Sequence, residues 1–190
     1  SMAFDYINLS DDRAFYTLEG EGVHIGKPSV FMRVAMCNLT CKGFASEDSP
    51  HGCDSFVSWS VKNKFTYEDL NWYFEDNGFD EELKKGAILK ITGGEPMLQQ
   101  RRLLEWLPTF EEWFKFKPRI DFESNSSIMP KEEWITDWNA TFTLSPKMSN
   151  NGDPEARRYK PEVLKWHNSH KESCFKFVIN EPSDLIELTQ

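Results

Sequence analysis

Three cysteines pose the first chemical question. Cys37-Asn-Leu-Thr-Cys41 is followed by eleven residues and then Cys53-Asp54, so three of the four cysteines in 190 residues fall within a window of 17. Thiolates are soft ligands, and three of them without a fourth leave one metal position open. A closed structural zinc site uses four protein ligands. A [4Fe–4S] cluster that binds a small molecule at its fourth iron uses three. His51 stands two residues before Cys53 and could complete a Cys₃His zinc site, so the spacing alone admits iron–sulfur, zinc and redox readings. Cys174, inside an apolar run, reads as a small core residue.

The elements that must position these thiols are legible around them. Ser29 to Ala35 is β-branched and aromatic after Pro28 and predicts a strand that delivers Cys37 at its C-terminal end. Arg33 interrupts it. An arginine inside such a strand needs an anionic partner, either a ligand carboxylate or a salt bridge at the strand edge. Upstream, Phe15 to Gly22 reads as an extended piece broken by two glycines, and residues 47–64 as polar and irregular. A helix is expected from the N-cap Thr66 to about Asn77, with Leu70, Tyr73 and Phe74 buried and Gly78 as its stop. A second core strand, Ala87 to Thr92, ends in Gly93-Gly94-Glu95-Pro96. The following helix starts near Leu98, with Leu103, Leu104 and Leu107 on one face, and Pro108 is expected to bend or end it.

Further strands are expected at Arg119–Glu123, Ala140–Leu144 and Cys174–Ile179, with a helix from Pro161 to about His170 and another opening at Pro182. Strands alternating with helices predict parallel βα units with right-handed crossovers. Cys37, Thr92 to Glu95, Ser124-Asn125 and Ser145 to Lys147 then gather at one edge, the C-terminal edge where such sheets bind ligands.

Composition narrows the function classes. Aromatics at 14% and hydrophobics at 39% fit one globular domain over residues 1–190. A formal charge of −9 argues against a phosphate-backbone binder, so no direct nucleic-acid partner is expected. No run is apolar enough to span a membrane, no signal peptide is visible, and cysteines without one suit a reducing cytoplasm. His24, His167 and His170 read as surface or packing residues.

Taken in order, Thr17-Leu-Glu-Gly-Glu-Gly22, Arg33 to Cys41, Cys53-Asp54-Ser55, Thr92 to Pro96, Glu123-Ser-Asn125, Ser145-Pro-Lys147 and Lys176-Phe-Val178 resemble 7-carboxy-7-deazaguanine synthase, a family of the radical S-adenosylmethionine superfamily. The resemblance implies an α/β fold, a partial (β/α) barrel with a shortened helical layer, in a homodimer. It implies conversion of 6-carboxy-5,6,7,8-tetrahydropterin to 7-carboxy-7-deazaguanine with loss of ammonia, in queuosine-type 7-deazapurine biosynthesis. Cys37, Cys41 and Cys53 would hold a [4Fe–4S] cluster, reduced by a flavodoxin or ferredoxin, and Ser55 would ligate Mg²⁺. Gly52, Cys53, Asp54, Gly94, Glu95, Ser145, Pro146 and Lys147 would bind S-adenosylmethionine. Leu18, Glu19, Gly20, Arg33 and Thr92 would bind the pterin.

The chain departs from the family in four places. Eleven residues separate Cys41 from Cys53 where two are usual, Glu19 replaces Gln, and Ser124 and Ser126 replace Thr and Gly. After Pro182 the family continues with a further strand and a Gln-Pro-Met-type segment, so the C-terminal part is missing or minimal by comparison. Two other readings stay open beside this one: another radical S-adenosylmethionine activity such as a glycyl-radical activase, and a non-catalytic regulator on the same scaffold.

Overall fold

The structure is a computed structural model that describes residues 6–20, 24–35, 63–145, 160–170 and 173–175. Among the described residues seven strands form one sheet: β1 (Tyr6–Leu18), β2 (Pro28–Val34), β3 (Asn63–Thr66), β4 (Ile88–Gly93), β5 (Arg119–Ser124), β6 (Thr141–Leu144) and β7 (Ser173–Phe175). Their order is β3-β1-β2-β4-β5-β6-β7. From β2 onward neighbours are parallel, as alternating strands and helices predict. The other side differs from expectation. The extended piece begins at Tyr6 and forms a 13-residue strand antiparallel to β2, and β3, which starts at the end of the stretch read as irregular, pairs antiparallel with it. Residues 63–66 carry no alternation to mark a strand, and only pairing with Tyr6–Leu9 makes them one.

The helices are α1 (Tyr67–Asp76), α2 (Phe79–Lys84), α3 (Gln100–Phe114), α4 (Glu133–Thr136) and α5 (Pro161–Asn168). Thr66 caps α1 by accepting from the Asp69 N–H at 3.1 Å. Gly78, at φ 71°, ends that stretch and also begins α2, a helix the sequence did not announce. A 3₁₀ turn at Pro96–Gln99 leads into α3, which does not stop at Pro108 but continues to Phe114. Packing outweighs the missing N–H. Leu103, Trp106, Leu107 and Phe110 are fully buried around Pro108, Phe110 and Trp106 meet Phe74 edge-on, and the Trp106 indole donates to Asn71 at 2.8 Å.

Alternation along the strands sorts the sheet into two faces. Val30, Met32 and Val34 of β2, Leu89 and Ile91 of β4, Ile120 and Phe122 of β5, and Phe142 and Leu144 of β6 join the helices' apolar side chains in one core. The alternate positions, in register across the sheet, are Phe31 and Arg33, Lys90 and Thr92, Asp121 and Glu123, Thr141 and Thr143. One face holds the fold together, and the other is polar.

Candidate active site

The polar face has a floor, a middle and a rim. At the floor, Lys90 is wholly buried, with Nζ 2.5 Å from Asp121 Oδ2, 3.0 Å from Thr143 Oγ1 and 3.4 Å from a Glu19 oxygen. Burial pulls its pKa down, but the charge and hydrogen bond of Asp121, with Glu19 and Glu123, outweigh that and hold it above the usual lysine value. Thr141 donates to Asp121 as well, and His24 Nε2 lies 3.2 Å from the Thr141 hydroxyl. Burial presses the His24 pKa down against the pull of Asp121. The chain His24, Thr141, Asp121, Lys90, Glu19 is thus continuous.

In the middle layer Thr92 donates to Glu123 at 3.3 Å, and Arg33 pairs with the half-exposed Asp12 at 3.2 Å. Phe15 and Phe31 stack beside them, centroids 5.2 Å apart and 2° from parallel, both partly exposed.

The rim centres on Glu95. Its carboxylate is buried and accepts from the Asn125 N–H at 2.7 Å, the Met97 N–H at 2.9 Å and the Ser124 hydroxyl at 3.0 Å. Burial pushes its pKa up to about 7; the bonds from Asn125, Met97 and Ser124 pull the other way and nearby Glu123 adds to the rise. Ser145 donates its N–H to the Ser124 carbonyl at 2.8 Å, so Glu95, Ser124, Asn125 and Ser145 share this edge, as predicted. Gly94 donates to the Val34 carbonyl at 3.0 Å, and Gly93, at φ 126°, lies so close that a Cβ would overlap the Val34 backbone. The freedom of Gly93 is therefore used against β2. Gln99 clamps the same exit: its amide exchanges hydrogen bonds with both backbone groups of Asn8 (3.0 and 3.1 Å) and donates to the Ala35 carbonyl (3.0 Å), two residues before Cys37.

Of the residues expected at the site, Gly52, Cys53, Asp54, Ser55, Cys37, Cys41, His51, Pro146 and Lys147 lie outside the described residues, as do the strand beyond Phe175 and the helix at Pro182. Leu18, Glu19 and Gly20 sit at the far end from the rim, since Leu18 pairs with Pro28 at the start of β2. Leu18 is exposed, and Glu19 alone of the three reaches the polar cluster. Among the described residues no three His, Cys, Asp or Glu side chains come together as a metal site, and no helix is long and apolar enough to cross a membrane. His167 is buried against Phe142 and Trp166, and burial takes its pKa down to about 3, as a packing histidine should. A groove of about 930 Å³ beside α3, lined by Leu104, Pro108, Phe116 and Trp138 among others, involves none of the polar-face residues.

Lys90 and Asp121 are the residues that sequence reasoning missed. The signal was present: each is a charge flanked on both sides by apolar strand residues, the pattern that drew attention to Arg33.

No family model matches the chain. Curated relatives do. The chain is 29% identical over 182 residues to the 7-carboxy-7-deazaguanine synthase of Pyrobaculum aerophilum, covering 92% of this chain and 68% of that protein. It is 29% identical over 184 residues to that of Rickettsia prowazekii, covering 95% and 65%. It is 34% identical over 137 residues to that of Prochlorococcus marinus, covering 70% and 53%. The chain resembles 7-carboxy-7-deazaguanine synthases along almost its whole length. It spans roughly half to two thirds of the length of these synthases. In fold it resembles the crystal structure of QueE from Escherichia coli, with TM-score 0.64 and 20% identity, covering 97% of this chain and 76% of that one. The sheet accords with a partial barrel, and β3 and β7 are its end strands among the described residues.

Proposed function

We propose that this chain is a radical S-adenosylmethionine lyase that converts 6-carboxy-5,6,7,8-tetrahydropterin to 7-carboxy-7-deazaguanine with loss of ammonia. One observation carries the reading: relatives that all bear the name of this synthase align along nearly the entire chain. The residues fit the groups the reaction needs. Three thiolates, Cys37, Cys41 and Cys53, are a donor set for a [4Fe–4S] cluster with one open iron. Bound there, the cluster supplies the electron that cleaves S-adenosylmethionine to a hydrogen-abstracting radical.

The remaining work falls to the protein. Glu95, held on three sides, is an acceptor for the ammonium group of the cofactor, and Gly94 and Ser145 beside it leave backbone within reach. Gly52, Cys53, Asp54, Pro146 and Lys147 complete that binding set. Arg33 turns from the exposed Asp12 to the carboxylate of the pterin, whose contacts also include Leu18, Glu19, Gly20 and Thr92. Ser55 contributes a hydroxyl to Mg²⁺, which prefers oxygen ligands and keeps several waters. Residues 1–190 act as one radical S-adenosylmethionine domain in a cytoplasmic homodimer, supplied with electrons by a flavodoxin or ferredoxin.

The test is anaerobic cluster reconstitution followed by S-adenosylmethionine, reductant and the reduced carboxypterin, with product read by mass. 7-Carboxy-7-deazaguanine supports the proposal. Cofactor cleavage without that product points to another radical activity, and a colourless zinc protein removes radical chemistry altogether.

A further inference from the structure

An irregularity in β1 sets an acid against Arg33. The two strands pair at Leu9 with Val34 and again at Ala14 with Met32, so four residues, Ser10 to Arg13, stand opposite Arg33 alone. Such a bulge re-aims side chains, and this one brings Asp12 Oδ2 to 3.2 Å from Arg33 Nε. It is fastened at several points. The Ser10 hydroxyl donates to the Arg33 carbonyl at 3.3 Å, and the Asn63 amide donates to the Leu9 and Ser10 carbonyls at 3.4 and 3.2 Å. Arg13, held at φ 53°, donates to the Asn63 side chain at 3.3 Å and lies over the rings of Phe65 and Tyr73. A non-glycine residue in that conformation persists only where its surroundings impose it, and such residues cluster at functional sites.

The ion pair placed in this way is loose. The Asp12 side chain is 57% exposed and that of Arg33 27%, and among the described residues no hydrogen bond satisfies the buried Arg33 Nε. Asp12 supplies charge without alignment, so a carboxylate that meets the guanidinium squarely would displace it. A pair this exposed adds little to stability, and its placement by a strained bulge calls for another reason.

We propose that Asp12 is an internal stand-in for the ligand carboxylate: it holds Arg33 in the ligand-free chain, must give way on binding, and returns to favour release. The inference rests on the pterin reading above, in which Arg33 takes the carboxylate, and adds to it a role for Asp12. Substrate and product of that reaction both keep their carboxylate, so Arg33 would grip both. A competing acid beside it loosens each of them alike.

The experiment titrates two fluorescent probes, 6-carboxypterin and pterin itself, which lacks the carboxylate, into the reconstituted full chain. Asp12→Asn keeps the shape and removes the charge. It should bind 6-carboxypterin about fivefold more tightly than the wild type, the upper worth of an exposed ion pair. Its affinity for pterin should change by less than about 1.5-fold. Asp12→Glu restores the charge and should return 6-carboxypterin affinity to within about twofold of the wild type. Circular dichroism checks that both variants keep the fold, and Asp12→Ser replaces Asp12→Asn should that one not fold. A neutral variant that binds 6-carboxypterin no more tightly than the wild type overturns the inference. So does an equal gain for pterin, a gain that persists in Asp12→Glu, or failure of both wild type and neutral variant to bind 6-carboxypterin. The proposed function is judged separately, on product formation from the reduced substrate: product without the affinity gain sinks this inference alone, and the gain without product sinks that function alone.

Discussion

Glu95 carries a pH dependence with a definite sign. Its folded pKa, about 7, lies above the ordinary value of 4.5, because burial favours the neutral acid. The folded state therefore holds a proton that the unfolded chain releases, and the stability this contributes is present in full below about pH 4.5 and lost as pH rises through about 7. The loss is on the order of 3 kcal/mol. Glu95→Gln should lower stability at every pH, since its NH₂ must face the N–H of Met97 or Asn125, yet remove this slope. Urea melts of both proteins from pH 4.5 to 8 check this; parallel curves would contradict it. Arg33 offers a second residue-level test. Its pairing with half-exposed Asp12 contributes under about 1 kcal/mol, so Arg33→Ala should scarcely move the melt. Binding of the carboxypterin should nevertheless weaken by roughly 2–5 kcal/mol. Unchanged binding would make Arg33 a strand-edge residue and nothing more.

The exit of β2 is where single substitutions should break whole elements. Gly93→Ala combines a backbone conformation that L side chains avoid with overlap against Val34, and should cost more than about 3 kcal/mol. Gln99→Ala strips partners from the Asn8 amide and carbonyl and the Ala35 carbonyl in a buried setting, for about 2–4 kcal/mol. Soluble yield and denaturant midpoint report both; a Gly93→Ala chain as stable as the wild type would show that β2 and β4 do not approach as described. Local signals made much of this scale legible. The cap at Thr66, the stripe of Leu103 and Leu107, and the parallel strands β2, β4, β5 and β6 follow from capping chemistry and periodicity. What escaped was set by distant partners. β3 is a strand because Tyr6–Leu9 lies beside it, α3 survives Pro108 because Phe74 and Phe110 pack around it, and the tie of Lys90 to Glu19 needs Glu19 held by its backbone bonds to Gly26 and Lys27. At the site, the rim was readable in Gly93-Gly94-Glu95 and Ser124-Asn125, whereas the floor was visible only as charges out of place.

At the scale of the molecule, the strands of the described residues make one open sheet with β3 and β7 at its two ends. Its two faces should separate cleanly in a comprehensive substitution scan read twice, once for abundance and once for product. Positions 30, 32, 34, 89, 91, 120 and 122 belong to the core and should fail both readings. Positions 31, 33, 92 and 123 on the polar face should fail chiefly for product. A scan in which these two sets lose abundance alike would refute the division. The alternation has a consequence for descent. Residues that answer to folding and residues that answer to chemistry take turns along the same few strands, so a lineage can revise the second set while inheriting the first unchanged. Position 19, whose carboxylate meets Lys90 on the polar face, can be exchanged in such a lineage without touching the core side chains of the same sheet.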